Sequence, residues 1–236
     1  IMILMGIDSS TPLSSVALVT DGQVIEQAQV DPDKVSNQVL VMIDKILVST
    51  RTKLSDLDGF CLTVGPGSFT GLRIGASILK GLLLATSKPF VKIDTLEALA
   101  LRAMPTNKKI CTILDAKKKE LYTAYFHPTS EIPERLSLDR ALTPYQLCQE
   151  IKEPTVFIGN GLDSYGDFLA SELNENFLSK SENHLYTVAA CAARIAEKRF
   201  ESEKTNDLDS LRIKYVRKPE AELKLMEKES ANRGGT

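Results

Sequence analysis

The sequence predicts an α/β fold built from two similar halves, each a mixed sheet with flanking helices. Apolar runs of strand length alternate with segments of helical periodicity along the chain. Each half opens with strands around a polar turn, at residues 8–12 and again at 115–120. A proline-containing stretch at 105–109 has the composition of a hinge between them. We therefore predict an N-terminal lobe over 1–104, a C-terminal lobe over 105–216 whose last helix packs back on the N-terminal lobe, and a tail over 217–236.

Composition and charge exclude several classes of protein. The chain has 236 residues, is 43% hydrophobic and 25% charged, and carries a formal net charge of −2, so it can bury a sizeable core but has no overall basic field for nucleic acid. No run predicts a signal peptide or a membrane span. The cysteines are widely spaced and form no C-x-x-C, which predicts reduced thiols in a cytoplasmic protein. They are Cys61, Cys111, Cys148 and Cys191.

The first lobe begins with three predicted strands and a helix. Asp21-Gly22 separates two β-rich runs, which is a strong hairpin signal. Ser36 is the predicted N-cap of the first helix. The predicted elements are strands 2–7, 15–19 and 24–29, helix 36–50 and strand 57–64.

A glycine-rich stretch, residues 65–75, connects strand 57–64 to the next helix. Its sequence, GPGSFTGLRIG, fits neither the Walker A pattern nor G-x-G-x-x-G. Two interpretations stay open, a tight strand-to-helix connection against a neighbouring backbone or an anion-binding loop. The turn after the first strand is open in the same way, because Asp8 could hold Mg²⁺ or simply belong to an Asx/Ser-rich turn. The candidate nucleotide or phosphate residues are Asp8, Ser9, Ser10, Gly65, Gly67 and Ser68.

The helix predicted over 70–86 is apolar on two faces. One face carries Ile74, Ile78, Leu82 and Ala85, and the other carries Leu72, Ala76, Leu79 and Leu83. A helix that is apolar on most sides is buried on most sides. The second face is covered by helix 36–50 of the same chain, by a partner subunit, or by both, if the two helices form half of a bundle.

The remaining elements alternate in the same way. Three lysines, residues 117–119, form a predicted turn that is either a solvated hairpin tip or a phosphate contact. Thr143-Pro144 is the predicted start of a helix. The predicted strands are 91–93, 110–116, 121–126, 135–142 and 155–158, with helices 95–102, 144–151, 162–173 and 187–200 and an extended piece at 211–216.

Several segments together resemble the bacterial TsaB (YeaZ) family. They are MILMGIDSST at 2–11, the full stretch 65–75, ILDA at 113–116 with LY at 121–122, and YVRKPEA at 215–221. The resemblance implies a two-lobed fold of the actin/Hsp70/sugar-kinase (ribonuclease H-like) type. It also implies a role in making threonylcarbamoyladenosine at position 37 of tRNAs that read codons beginning with A. The lysine turn and the extension after Ala221 depart from the family's pattern.

The resemblance implies a scaffold subunit and not a free-standing catalyst. Members of the family pair with TsaD, which carries the metal and transfers the threonylcarbamoyl group, and with the ATPase TsaE. This chain has only His127 and His184, too few histidines for the metal-bearing role, so we expect no metal site. We expect tRNA to be contacted indirectly and ATP or ADP, if bound, to lie at the partner interface. The alternative is a free-standing nucleotide-binding ATPase or kinase-like enzyme of the same fold.

The family also implies that the two N-terminal helices pack on the same helices of TsaD, or of a second copy when the chain is alone, as a four-helix bundle. On that basis Leu79→Glu is expected to break pairing and leave the fold intact. The candidate interface residues are Val39, Met42, Ile43, Ile46, Leu72, Ala76, Leu79 and Leu83.

Overall fold

The computed structural model describes residues 1–30, 38–180 and 185–217, so Ser36, His184 and nearly all of the tail lie outside the described residues. The first half contains β1 (Ile3–Asp8), β2 (Ser14–Thr20), β3 (Gln23–Val30), α1 (Gln38–Thr50), β4 (Gly59–Thr63), α2 (Phe69–Thr86), β5 (Phe90–Ile93) and α3 (Thr95–Arg102). The second contains β6 (Lys109–Asp115), β7 (Leu121–His127), β8 (Glu134–Arg135), β9 (Arg140–Leu142), α4 (Pro144–Glu150), β10 (Thr155–Ile158), α5 (Gly161–Leu173), β11 (Phe177–Ser179) and α6 (Val188–Glu203).

The two halves repeat one topology. The first sheet has the order β3-β2-β1-β4-β5 and the second the order β8-β7-β6-β10-β11. In each sheet the first strand of the half is central. It pairs antiparallel with the next strand along the chain on one side and parallel with a later strand on the other. Residues Gly65 and Gly159, which follow the equivalent strands β4 and β10, even share a positive φ of 119° and 117°. The repeated polar turns in the sequence therefore mark a repeated fold.

The last helix of each half lies between the two sheets. Strand side chains alternate, so one face of the first sheet packs on α1 and α2 and the other on α3 and α6. Helix α3 also contacts β6 and β7, while α6 crosses β1 and β2. Gly6 permits this crossing, because a Cβ there would lie 2.5 Å from the carbonyl oxygen of Ala189. Arg199 of α6 makes a two-pronged salt bridge to Glu97 of α3, which joins the two central helices.

Local signals explain most element boundaries. Asp21 and Gly22 have φ of 48° and 77°, the conformation of a two-residue hairpin turn. The Thr143 hydroxyl accepts from the Gln146 amide at 3.2 Å, which caps α4 as predicted. The strand predicted over 135–142 is wrong: it is broken into β8 and β9, because Arg135 and Asp139 turn into an ion-pair cluster described below. Residues 211–216 form no strand, and β11 was missed.

Helices α1 and α2 use one apolar face for the sheet. The eight residues predicted to face a partner are instead buried in this chain's own core, with Leu79 and Val39 fully inaccessible. The prediction failed because both faces of α2 are apolar, and periodicity cannot say which one meets the sheet. The eight are Val39, Met42, Ile43, Ile46, Leu72, Ala76, Leu79 and Leu83.

By length and composition alone, α2 could cross a membrane, since its 18 residues have a mean hydropathy of 1.3. This is weak support for a span, because core helices pass the same test. A third of the helix residues (33%) are buried inside the protein. We interpret its apolar character through the two surfaces that it presents, one to the sheet and one outward.

Candidate functional site: the interlobe cleft and the outer helix face

A cleft of about 610 Å³ opens where the polar turns of the two halves face each other. The β1–β2 turn and the start of α2 form one wall. The β6–β7 turn forms the opposite wall, together with Asn160 from the β10–α5 connection and Arg217 from the C-terminal segment. Of the six sequence-predicted phosphate residues, Ser9, Ser10, Gly67 and Ser68 line this cleft, whereas Asp8 and Gly65 do not.

Asp8 lies behind the cleft and its carboxylate is already satisfied. One oxygen accepts from the Ser10 amide (3.0 Å), the Ser10 hydroxyl (2.5 Å) and the Thr63 hydroxyl (2.5 Å). The other accepts from the Thr11 hydroxyl at 2.5 Å. The side chain is inaccessible to solvent. In this arrangement Asp8 joins β1, its turn and β4, and offers no free oxygen for a cation.

We predict that Asp8→Ala destabilises the fold by about 2–3 kcal/mol, because it leaves buried hydroxyls and an amide without their acceptor. Urea denaturation followed by circular dichroism measures the change. Asp58→Ala is the matched control, since its carboxylate accepts a hydrogen bond from an exposed amide of β1. A loss no larger than that of the control would contradict the structural role of Asp8.

The glycine-rich stretch packs against the first turn through its backbone. Ser68 donates its amide to the carbonyl of Ser10 at 2.8 Å, and the Ser9 hydroxyl donates to the carbonyl of Gly71 at 2.8 Å. A Cβ at Gly67 would lie 2.2 Å from the Ser10 oxygen, and one at Gly71 only 1.9 Å from the Ser9 oxygen. These glycines therefore exist to admit a neighbouring backbone, and the Ser68 hydroxyl caps α2 by accepting from Gly71.

A four-membered charge cluster joins the two halves outside the cleft. Lys214 contacts Asp94 and Asp139 at 2.5 Å each, and Arg135 contacts the same carboxylates at 2.9 and 2.5 Å. Burial and the neighbouring Asp94 raise the pKa of the Asp139 carboxyl. Burial lowers the pKa of the Lys214 ammonium, but its bonds to the two carboxylates outweigh this, so that pKa is raised. The Lys214 contribution is therefore complete at neutral pH and is lost only as pH rises through its raised pKa.

The lysine turn forms the opposite rim of the cleft. Lys117, Lys118 and Lys119 have φ of 59°, 54° and 61°, three successive non-glycine residues in the left-handed region. Such backbone is sparsely populated and is held here by the bond from the Glu120 amide to the Lys117 carbonyl at 3.1 Å. Asp115, the counterpart of Asp8, pairs with Lys117 at 3.1 Å.

The second feature is the outward side of α1 and α2, which we call the outer helix face. It carries exposed apolar residues, with Val48 70% and Leu84 72% accessible. On α2 the half-buried Ile74, Ile78 and Leu82 flank a line of small exposed residues. A Cβ at Gly81 would meet nothing within 4 Å. The small residues are Ser77, Gly81 and Ala85, and the exposed apolar residues of α1 are Leu40, Val41 and Val48.

Neither reactive thiols nor a ligand cluster accompany these features. Burial raises the pKa of the Cys61, Cys111 and Cys191 thiols to about 12, which makes them inert packing residues. Within the described ranges, no three His, Cys, Asp or Glu side chains come together as a metal-binding group. Sequence reasoning missed Arg217, Asn160 and the charge cluster, because their role depends on contacts between residues far apart in the chain.

The duplicated two-lobed architecture with its interlobe cleft is that of the actin and sugar-kinase class. An inorganic polyphosphate/ATP-glucomannokinase from Arthrobacter sp. strain KM shares it at a TM-score of 0.50 and 10% identity, over 86% of this chain and 100% of that one. YeaZ from Pseudomonas aeruginosa superposes with a TM-score of 0.75 at 20% identity, over 91% of this chain and 100% of that one.

Sequence comparison narrows the class to one family. The tRNA threonylcarbamoyladenosine biosynthesis protein TsaB of Escherichia coli is 31% identical over 172 residues, 70% of this chain and 74% of that protein. Its Bacillus subtilis counterpart is 26% identical over 96% of this chain and 99% of that protein. A family model described as TsaD, tRNA N6-adenosine threonylcarbamoyltransferase, matches residues 32–225. The chain belongs to the TsaB (YeaZ) family.

The similarity to individual TsaD sequences is more local than the match to the family model. The transferase of Bartonella tribocorum is 44% identical over only 66 residues, 28% of this chain and 18% of that protein. The TsaB proteins of Escherichia coli and Bacillus subtilis, in contrast, match this chain along 74% and 99% of their own length.

Proposed function

We propose that this chain is the non-catalytic subunit that a TsaD-like transferase requires to place a threonylcarbamoyl group on adenosine 37 of tRNAs reading codons that begin with A. The observation that carries the proposal is the outer helix face. It presents exposed apolar and small side chains beside each other, as surfaces that bury against another protein do. Membership of the TsaB family supplies the pathway.

The TsaD-like subunit is the proposed occupant of this face, with its equivalent helices completing a four-helix bundle. Alone, the chain pairs with a second copy through the same surface. A TsaE-like ATPase joins the complex, nucleotide lies at the subunit junction, and the complex works in the cytoplasm. The line of three small residues, Ser77, Gly81 and Ala85, lets two helix backbones approach closely.

Reconstitution tests the proposal. Purified TsaD-like and TsaE-like proteins are incubated with threonylcarbamoyl donor and unmodified tRNA, with and without this chain, and the modified nucleoside is measured by mass spectrometry. We expect product only when the chain is added, together with co-elution of the chain and the TsaD-like subunit. Equal product without it would disprove a required subunit.

A second candidate, a free-standing nucleotide-using enzyme, is favoured by one observation, the 610 Å³ cleft. Calorimetry with ATP and Mg²⁺ distinguishes the two. Because Asp8 is structural, the informative variant is Thr70→Trp, which adds bulk at an exposed position on the cleft wall. Micromolar binding by the isolated chain that this variant abolishes would favour the enzyme.

A further inference from the structure

The rim of the cleft combines exposed cations with exposed aromatic rings. We define the rim patch as Phe69, Arg73, Lys117, Lys118, Lys119 and Tyr215. Phe69, Lys117 and Lys118 all line the same cavity, which brings the start of α2 and the lysine turn into one surface. Two cations of a chain with net charge −2 therefore line this opening, and two more lie beside it, Arg73 over the Phe69 ring and Lys119 next to Lys118 in the turn.

The aromatic side of the patch is a stack. The Arg73 guanidinium lies 3.9 Å from the centroid of Phe69, and the Phe69 and Tyr215 rings lie 5.4 Å apart at 33°. Phe69 is 38% and Tyr215 40% accessible. An exposed aromatic ring offers a face on which a planar ligand can stack, and Tyr215 ends this row of rings at the protein surface.

The positive charge sits at the rim and not inside the cleft. Arg217, which also lines the cavity, is committed to Glu120 at 2.6 Å and to the Ala116 carbonyl at 3.0 Å. Lys117 points into solvent with its side chain 82% accessible, although it pairs with Asp115. The left-handed backbone of the turn keeps three consecutive lysines at the tip, where they can meet several phosphates along an extended chain.

We infer that the rim patch binds single-stranded RNA, with phosphates on the lysine turn and an unstacked base on Tyr215. Cations that follow a backbone and aromatic rings that accept bases are the two parts of a single-strand binding surface. The inference rests on the proposed function, because it gives this subunit a direct contact with the tRNA that its partner modifies. The chain then supplies both a docking face for the transferase and a second binding surface for the tRNA.

The test uses the complex of the full chain with its TsaD-like partner and a fluorescent unmodified tRNA, titrated by anisotropy between 50 and 200 mM salt. The first variant is the pair Lys118→Asn and Lys119→Asn, because asparagine tolerates left-handed backbone and removes only the charge. We expect about five- to tenfold weaker binding and a salt slope reduced by about 1–2. Tyr215→Ala is expected to cost about fivefold, the lower end of base stacking, with an unchanged slope.

The control is Lys108→Asn with Lys152→Asn, which removes the same charge from exposed positions outside the patch. A control that loses as much affinity as the rim variant would overturn the inference in favour of non-specific attraction, and so would rim variants that bind tRNA like wild type. An RNA duplex that competes as well as the anticodon stem-loop would contradict single-strand recognition. If rim variants pair with the TsaD-like subunit and support modification with an unchanged KM for tRNA, this inference alone fails. If the wild-type chain does not pair with that subunit, the proposed function fails.

Discussion

Replacing Gly81 with arginine is expected to abolish pairing with the TsaD-like subunit, with a loss of affinity of at least about 100-fold. Gly81 lies in the middle of the small-residue line on α2, where a Cβ meets open space in this chain. In a bundle, the same space holds the partner's helix, and a charged side chain there is desolvated without a partner. The readouts are isothermal titration calorimetry and co-elution of the two proteins.

The isolated Gly81→Arg chain is expected to stay folded. Arginine has a higher helix propensity than glycine by about 0.5–1 kcal/mol, so its melting temperature should equal or exceed that of wild type. Gly81→Ala is the matched control: it gains the same helix propensity but adds only a methyl group, and it should keep most of the pairing. Full pairing by Gly81→Arg would remove the outer helix face from the proposed interface.

Leu79→Glu is expected to unfold the chain. The sequence pattern alone predicts the reverse, a loss of pairing with an intact fold. Leu79 is fully buried against the first sheet, so the carboxylate would enter the chain's own core. We expect loss of the native circular dichroism spectrum, since the unpaired charge and the lost apolar contacts together exceed the stability of an ordinary domain. Comparing this variant with Gly81→Arg separates the two faces of one helix experimentally.

Much of the fold could be predicted because its signals are local. Hairpin dipeptides, caps and apolar periodicity act within a few residues, and Asp21-Gly22, Thr143 and the strand 155–158 all behave as predicted. The repetition of polar turns also predicted the duplication of the fold. The family was readable from the full motifs, since their order of residues carries more information than their glycines alone.

The partner face and the charge cluster could not be predicted, because they depend on contacts between distant residues. An amphipathic wheel identifies a buried face only when the other face is polar, and both faces of α2 are apolar. Arg135 and Asp139 look like part of a strand until Asp94 and Lys214 come from elsewhere to pair with them. The sequence left Asp8 open between a cation ligand and an Asx/Ser-rich turn, and its bonds to Thr11 and Thr63 favour the turn.

Gly71→Ala is expected to destabilise the fold by about 4 kcal/mol. Its Cβ would lie 1.9 Å from the Ser9 carbonyl oxygen, and a backbone atom cannot rotate away as a side chain does. Relief requires α2 to move away from the β1–β2 turn, which breaks the bond from the Ser9 hydroxyl to the Gly71 carbonyl at 2.8 Å. Urea denaturation measures the loss, and Gly81→Ala in the same helix is the control that should gain stability.

This substitution also tests what the glycine-rich stretch does. If it fixes the position of α2, a tilt at Gly71 moves the outer helix face, and pairing with the TsaD-like subunit should weaken even under conditions where the variant is mostly folded. An anion-binding loop would behave differently. Phosphate or nucleotide would then raise the stability of the wild-type chain but not that of the variant. A Gly71→Ala chain with wild-type stability and pairing would refute the close packing of this stretch on the first turn.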